Sequence, residues 1–99
     1  MTYRVIYLER ARQDMREIVT YLAQFYASTA RNFVDRLKKQ VELLKTMPYM
    51  NPVYEDVPFF RRMIVGDYLL FYSVDEVREA VVIHRIFHHS RDIREHMLD

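Results

Sequence analysis

A tight Gly-Asp turn between two strongly β-forming runs constrains the fold of this chain more than any other feature. FFRRMIV (59–65) and YLLFYSV (68–74) flank Gly66-Asp67, and Gly66 is the only glycine in 99 residues. A two-residue hairpin turn requires positive φ, which glycine adopts without steric cost. The segment therefore predicts an antiparallel hairpin. Because 68–74 is apolar on both of its faces, it also predicts a strand in the interior of a sheet.

The periodicity upstream of this hairpin predicts one strand and two helices. TYRVIYL (2–8) is β-rich, and the pattern becomes helical from Glu9 until near Tyr26. Residues 27–29 form a short break, where Ser28 or Thr29 is placed to cap a second helix. The apolar face of the first helix is predicted at Ala11, Met15, Ile18, Leu22 and Phe25, and that of the second at Ala30, Phe33, Leu37, Val41 and Leu44. Two helices joined by so few residues must lie antiparallel, as a helical hairpin.

The remaining segments complete an α+β prediction. Three prolines within 47–58 exclude both a helix and a central strand there. VVIHRIF (81–87) predicts a further interior strand, and SRDIREHMLD predicts a short C-terminal helix capped by Ser90. The expected order is β-α-α-β-β-β followed by that helix, in a single domain over 1–99. We expect the helical hairpin to pack on one face of a mainly antiparallel sheet.

The composition favours a cytoplasmic protein that grips an anionic surface or an acidic partner. There is no cysteine, and no apolar run approaches the roughly 18 residues of a membrane span. The net charge is only +1, but arginine outnumbers lysine by twelve to three. The guanidinium fork suits carboxylate and phosphate. We expect no membrane association, no metal and no cofactor.

Two neighbouring arginines precede the Gly-Asp turn. Arg61 and Arg62 must point to opposite faces of their strand. If helices cover one face, one arginine lies on the open face, and the other must pair or reach towards solvent. Both are candidate contacts with a target or partner, although ion pairing and solubility at a sheet edge would explain them equally well.

A second polar cluster closes the last strand. By parity, His84 and His88 share a face with Ile86, while Arg85 shares the opposite face with Phe87. Histidine moves protons near neutral pH and arginine holds phosphate, which together suffice for cleavage of an RNA phosphodiester without metal. The alternative is a structural role for these side chains, with the histidines at 88 and 89 lining a turn.

The segments YRVIYLERARQDM, RRMIVGDYLLFYSVDE and VVIHRIFHHSRD, in this order around a helical hairpin, resemble the RelE/ParE superfamily of type II toxins over nearly the whole chain. The resemblance implies a toxin whose cognate antitoxin wraps it with an extended segment and holds it inactive. It also implies one of two targets. RelE-like members cut messenger RNA on the ribosome without metal, whereas ParE-like members poison DNA gyrase.

Matching the residues to RNA-cutting members gives a mixed result. Those members carry an arginine in the strand where this chain has Leu69, and lysines before the turn in the region of Arg62. Arg91 matches a basic residue near their C-terminal end, but the tyrosine that follows there has no counterpart, Met97 being the nearest position. Some relatives use a histidine here, as His88 or His89 would supply.

The resemblance therefore favours a ParE-like gyrase inhibitor that acts as an interaction module. On this reading the candidate contacts with target or antitoxin are Arg61, Arg62, Arg85 and Arg91, together with the helical hairpin. The alternative is a ribosome-dependent endoribonuclease that uses Arg62, His88, His89 and Arg91. A third possibility is a non-toxic adaptor on the same scaffold.

Overall fold

The computed structural model describes residues 2–91 and confirms the α+β prediction for them. The elements are β1 (Arg4–Tyr7), α1 (Glu9–Ala23), α2 (Ala27–Leu44), β2 (Arg61–Val65), β3 (Tyr68–Asp75) and β4 (Ala80–His88). The sheet order is β1-β4-β3-β2, so β3 and β4 are interior as predicted. Among the strand pairs of residues 2–91, β1–β4 is parallel and the other two are antiparallel. The predicted C-terminal helix falls mainly on 92–99, outside the described residues.

The β2–β3 hairpin turns at Gly66, whose φ is +60°. Asp67 is not among the residues with positive φ in the described chain. Positive φ at the first central residue alone is the pattern of a type II′ turn, and its twist matches that of the flanking strands. The turn sets the register in which Ile64 lies opposite Leu69 and Val65 opposite Tyr68.

The helical hairpin covers one face of the sheet, which we call the helix face. Leu37 and Leu44 of α2 pack in one cluster with Leu70 and Ile83 of the central strands, and all four are fully buried. Met15, Ile18 and Leu22 of α1 pack against this cluster. The predicted contact face of the hairpin is therefore confirmed, with one exception.

That exception is Phe25, which the periodicity placed in the core but which is 60% exposed. Helix α1 ends at Ala23, so Phe25 lies in the connection and its ring packs edge-on against Tyr21 at 5.3 Å. The break between the helices spans 24–26, not 27–29. The N-cap of α2 is Tyr26, which makes no side-chain capping bond, so the predicted cap at Ser28 or Thr29 was wrong.

A β-bulge in β4 changes which side chains share a face. Tyr72 pairs with Ile83, but Phe71 pairs with Arg85, so His84 is an extra residue in β4. An extra residue inverts the alternation of side chains. Ile83 and Ile86 both reach the core on the helix face, and His84 and His88 lie on opposite faces. The prediction from simple parity that these two histidines share a face was therefore wrong.

The segment 45–60 lies along β2 and over part of the open face. The Arg62 amide donates to the Pro52 carbonyl at 3.0 Å, and Val53 bridges to Arg61. The Tyr54 ring packs edge-on against the buried Phe71 at 5.0 Å. Within the described part of the chain, neither helix has the length and apolar character needed to cross a membrane.

Candidate functional site

The two arginines before the turn have different environments. Arg61 points to the same side as the buried Met63 and donates to the Asn51 carbonyl at 2.7 Å. Its guanidinium carbon also lies 4.9 Å from the centre of the Tyr49 ring. Arg62 lies on the open face and is exposed. Arg61 therefore has internal partners, whereas Arg62 is presented to solvent.

Arg85 is engaged inside the molecule. Its Nε and Nη2 donate to the two carboxylate oxygens of Asp14 at 2.9 and 3.1 Å, with the side chains only 13% and 10% exposed. Its guanidinium carbon also lies 4.4 Å from the centre of the Phe87 ring. The side chain that the sequence nominated as a partner contact is thus largely covered, and it joins α1 to β4.

The same carboxylate also accepts a hydrogen bond from the backbone at an edge of the sheet. Strand β1 pairs with β4 only as far as Ile83, so within residues 2–91 no strand neighbours this edge of β4 beyond Ile83. There the Ile86 amide donates to Oδ2 of Asp14 at 2.9 Å. Asp14 had not been predicted as important. Its position beside Ala11 and Ile18, on the apolar side of α1, was the available signal for a buried acid.

His88 and Arg91 line a cleft of about 540 Å³ between α1 and the ends of β3 and β4. The Nδ1 atom of His88 accepts a hydrogen bond from the Ser90 amide at 3.2 Å and lies 2.7 Å from Oγ of Ser90. Nδ1 therefore serves as a hydrogen-bond acceptor in the turn that follows β4. His89 is exposed, with its ring centre 4.5 Å from that of His88.

His84 lies in an aromatic enclosure on the open face. Its Nε2 lies 2.8 Å from Oγ of the buried Ser73, and the rings of Phe60 and Phe59 pack edge-on at 4.7 and 5.9 Å. Burial lowers the pKa of His84 from its ordinary value of 6.5, because the enclosure disfavours the cation. The ring is therefore neutral at pH 7 and adds no charge to the open face.

The residues nominated for RNA cleavage are thus only partly brought together. His88, His89 and Arg91 meet at the end of β4. Arg62 is on the open face of β2, whereas His88 lies opposite Tyr68 on the helix face. The position that faces Arg62 diagonally on β3 is occupied by the aliphatic side chain of Leu69.

Comparisons with known proteins agree with this architecture. Residues 5–93 match the family model for the ParE toxin of the type II toxin–antitoxin system parDE. No curated protein sequence gives a significant match.

Among solved structures, a chain of the chromosomal ParDE system from P. aeruginosa superposes with a TM-score of 0.74 at 16% identity, covering 88% of this chain and 96% of that one. A chain of the intact E. coli RelBE toxin–antitoxin complex gives 0.65 at 22% identity, with 90% and 99% covered. One from the Mycobacterium tuberculosis RelBE2 complex gives 0.64 at 21%, with 90% and 100% covered. These structures share the fold. Because the family model spans nearly the entire chain, the protein belongs to the ParE toxin family of type II toxin–antitoxin systems.

Proposed function

We propose that this toxin acts by binding and inhibiting DNA gyrase, and that a cognate antitoxin neutralises it. The observation that carries the proposal is the separation of the cationic groups. Cutting an RNA phosphodiester requires proton-transfer groups and charge-neutralising groups around a single phosphate. Here the exposed arginine of β2 and the histidine of the cleft lie on opposite faces of the sheet.

Two further polar side chains near the open face, Arg85 and His84, also argue against a phosphate site there. Arg85 is held by Asp14, and His84 is enclosed and neutral. Leu69 provides an apolar surface beside Arg62 near the Gly-Asp turn. Arg62 is the exposed arginine of this face on β2, and the exposed Arg4 lies across the width of the sheet on β1. A guanidinium with aliphatic neighbours suits contact with another protein better than contact with a nucleic-acid backbone, which requires several cations together.

The alternative function, cleavage of ribosome-bound messenger RNA, is favoured by one observation. His88 and Arg91 line the same cleft, and His89 stacks beside His88. This would supply a proton-transfer group and a cation within one short segment. Arg62 would then have no part in the chemistry.

The antitoxin is proposed on separate grounds. The solved relatives include toxin–antitoxin complexes from E. coli and Mycobacterium tuberculosis. This chain carries a large arginine excess, which suits acidic side chains, and exposed apolar residues that an extended segment would cover. We expect co-expression with the neighbouring antitoxin to yield a stable complex.

A parallel assay of two activities tests the target. Purified toxin is added to gyrase with relaxed plasmid, and in separate reactions to ribosomes programmed with messenger RNA. We expect loss of supercoiling, with the message intact. The same loss is expected from the double variant His88→Ala/His89→Ala. Cleaved message with normal supercoiling would overturn the proposal in favour of the nuclease, and neither effect would favour the non-toxic adaptor.

A further inference from the structure

The open face of the sheet retains an uncovered apolar patch beside the Gly-Asp turn. Ile64 of β2 lies directly opposite Leu69 of β3, which lies opposite Phe87 of β4. Ile64 is 62% exposed and Leu69 is half-buried, whereas Phe87 is covered. We call Ile64, Leu69 and the adjacent Arg62 the turn-end patch.

Another part of the open face is already covered by the chain itself. Tyr54 packs on Phe71, and Phe59 and Phe60 enclose His84. These contacts lie farther from the turn along β3 and β4. Segment 45–60 thus covers the face around Phe71 and His84 and leaves the turn-end patch exposed. Burying the apolar surface of Ile64 against a partner would be favourable.

The charge beside the patch indicates which partner fits it. The side chain of Arg62 makes no hydrogen bond or ion pair with any residue from 2 to 91. Arg61 turns towards the carbonyls of segment 45–60, and Arg85 pairs with Asp14. A single available guanidinium beside aliphatic side chains matches a protein segment with an apolar anchor and a flanking carboxylate.

We infer that the turn-end patch is the surface through which this toxin engages its target protein, and that it receives an apolar side chain flanked by an Asp or Glu. The inference rests on the proposed function, since it takes gyrase to be that target. Ile64 and Leu69 bury the anchor, and Arg62 binds the carboxylate.

The test compares three single variants of the purified toxin. Ile64→Arg places a second cation in the apolar centre, and Arg62→Glu reverses the charge of the flank. Val77→Arg is the matched control, because Val77 is 95% exposed in the β3–β4 turn, far along β3 from the Gly-Asp turn. Thermal unfolding first establishes that all three fold, as expected for exposed positions.

Inhibition of gyrase supercoiling is then titrated for each variant, together with affinity for immobilised gyrase and for the antitoxin. For half-maximal inhibition of gyrase, we expect each patch variant to require at least about tenfold more toxin than the wild type, as for loss of a central interface contact. Val77→Arg should inhibit at the same concentration as the wild type. Wild-type inhibition that Ile64→Arg and Arg62→Glu retain in full would overturn this inference alone. The inference would also be overturned if the patch variants lost affinity for the antitoxin but inhibited gyrase as the wild type does. It would likewise be overturned if the wild type self-associated and Ile64→Arg abolished that self-association. Wild-type toxin that leaves gyrase fully active would overturn the proposed function and this inference with it.

Discussion

Replacing Asp14 by alanine should destabilise the protein strongly, because its carboxylate is buried and joins α1 to β4. The carboxylate accepts two hydrogen bonds from the guanidinium of Arg85 and one from the amide of Ile86, all between 2.9 and 3.1 Å. Asp14 is 8% exposed and Ile86 is 2% exposed. Neither the amide nor the guanidinium gains full hydration when the carboxylate is removed.

The magnitude follows from these contacts. Breaking a buried ion pair by removing one partner costs about 3–5 kcal/mol. An unsatisfied buried amide by itself costs about 1–3 kcal/mol, and the two contributions overlap because they share one oxygen. We therefore expect Asp14→Ala to lose about 3–5 kcal/mol of unfolding free energy, lowering Tm by roughly 12 °C or more in a domain of this size. Asp14→Asn keeps an acceptor for Ile86 and should lose less.

Chemical denaturation measures this loss, with Glu9→Ala as the control. Glu9 lies on the same helix and also pairs with an arginine, Arg16, but its side chain is 75% exposed. Exposed pairs contribute about 0–1 kcal/mol, so the control should change little. If Asp14→Ala and Glu9→Ala lose the same amount, the carboxylate does not join α1 to β4 as described.

Three further changes test the core, the turn and the enclosed histidine. Leu37→Ala should lower the free energy of unfolding, measured by chemical denaturation, by about 2–5 kcal/mol, because Leu37 is fully buried. A loss under about 1 kcal/mol would mean that Leu37 does not lie on the packing face of α2. Gly66→Ala should lower the free energy of unfolding by about 1–2 kcal/mol, because a φ of +60° strains a residue with a Cβ. The atom nearest to the added Cβ is the flexible end of Arg36, which can move away. An unchanged free energy of unfolding would contradict the turn geometry. His84 has a folded-state pKa below its unfolded value of 6.5, so the unfolded state binds more protons and stability is lost as pH falls from 6.5 through the folded-state value. His84→Gln should flatten that decline in unfolding free energy, and an unchanged pH profile would exclude His84 as its source.

The sequence predicted best the segments in which one face is clearly apolar and the other clearly polar. The helices have one apolar and one polar face, so the contact face with Leu37 and Leu44 was predictable. The end of α1 was not, because no glycine or proline marks it and the apolar period continues to Phe25. Helix propensity alone does not show where tertiary packing stops a helix.

Strand β4 shows the same limit in another form. Its residues are apolar on both faces, so a change of parity leaves little trace in the pattern. The one clue is that two polar residues, His84 and Arg85, stand between Ile83 and Ile86, both of which are buried. Without the bulge, the sequence places His84 on the same face as His88, whereas in the structure the two lie on opposite faces.

The candidate site was predictable only as a set of residue types. The sequence indicated that Arg61 and Arg62 have different environments. In the structure Arg61 donates to the Asn51 carbonyl, whereas Arg62 is exposed to solvent. The sequence did not indicate that Arg85 would be engaged by Asp14, which lies 71 positions earlier in the chain. Pairings at such separation depend on the tertiary fold, which local patterns do not encode.

The most direct test of the central claim is the toxicity of the double variant His88→Ala/His89→Ala in cells, expressed from a tight promoter beside wild-type toxin and Arg62→Glu. Removing a proton-transfer group from a nuclease typically lowers its rate by about 10²–10⁴-fold, so a nuclease would be disarmed. We predict that the double variant still arrests growth with DNA breaks and an SOS response while messenger RNA stays intact, and that Arg62→Glu is disarmed. A folded double variant that no longer arrests growth, with cleaved message in cells that express the wild type, would contradict the account.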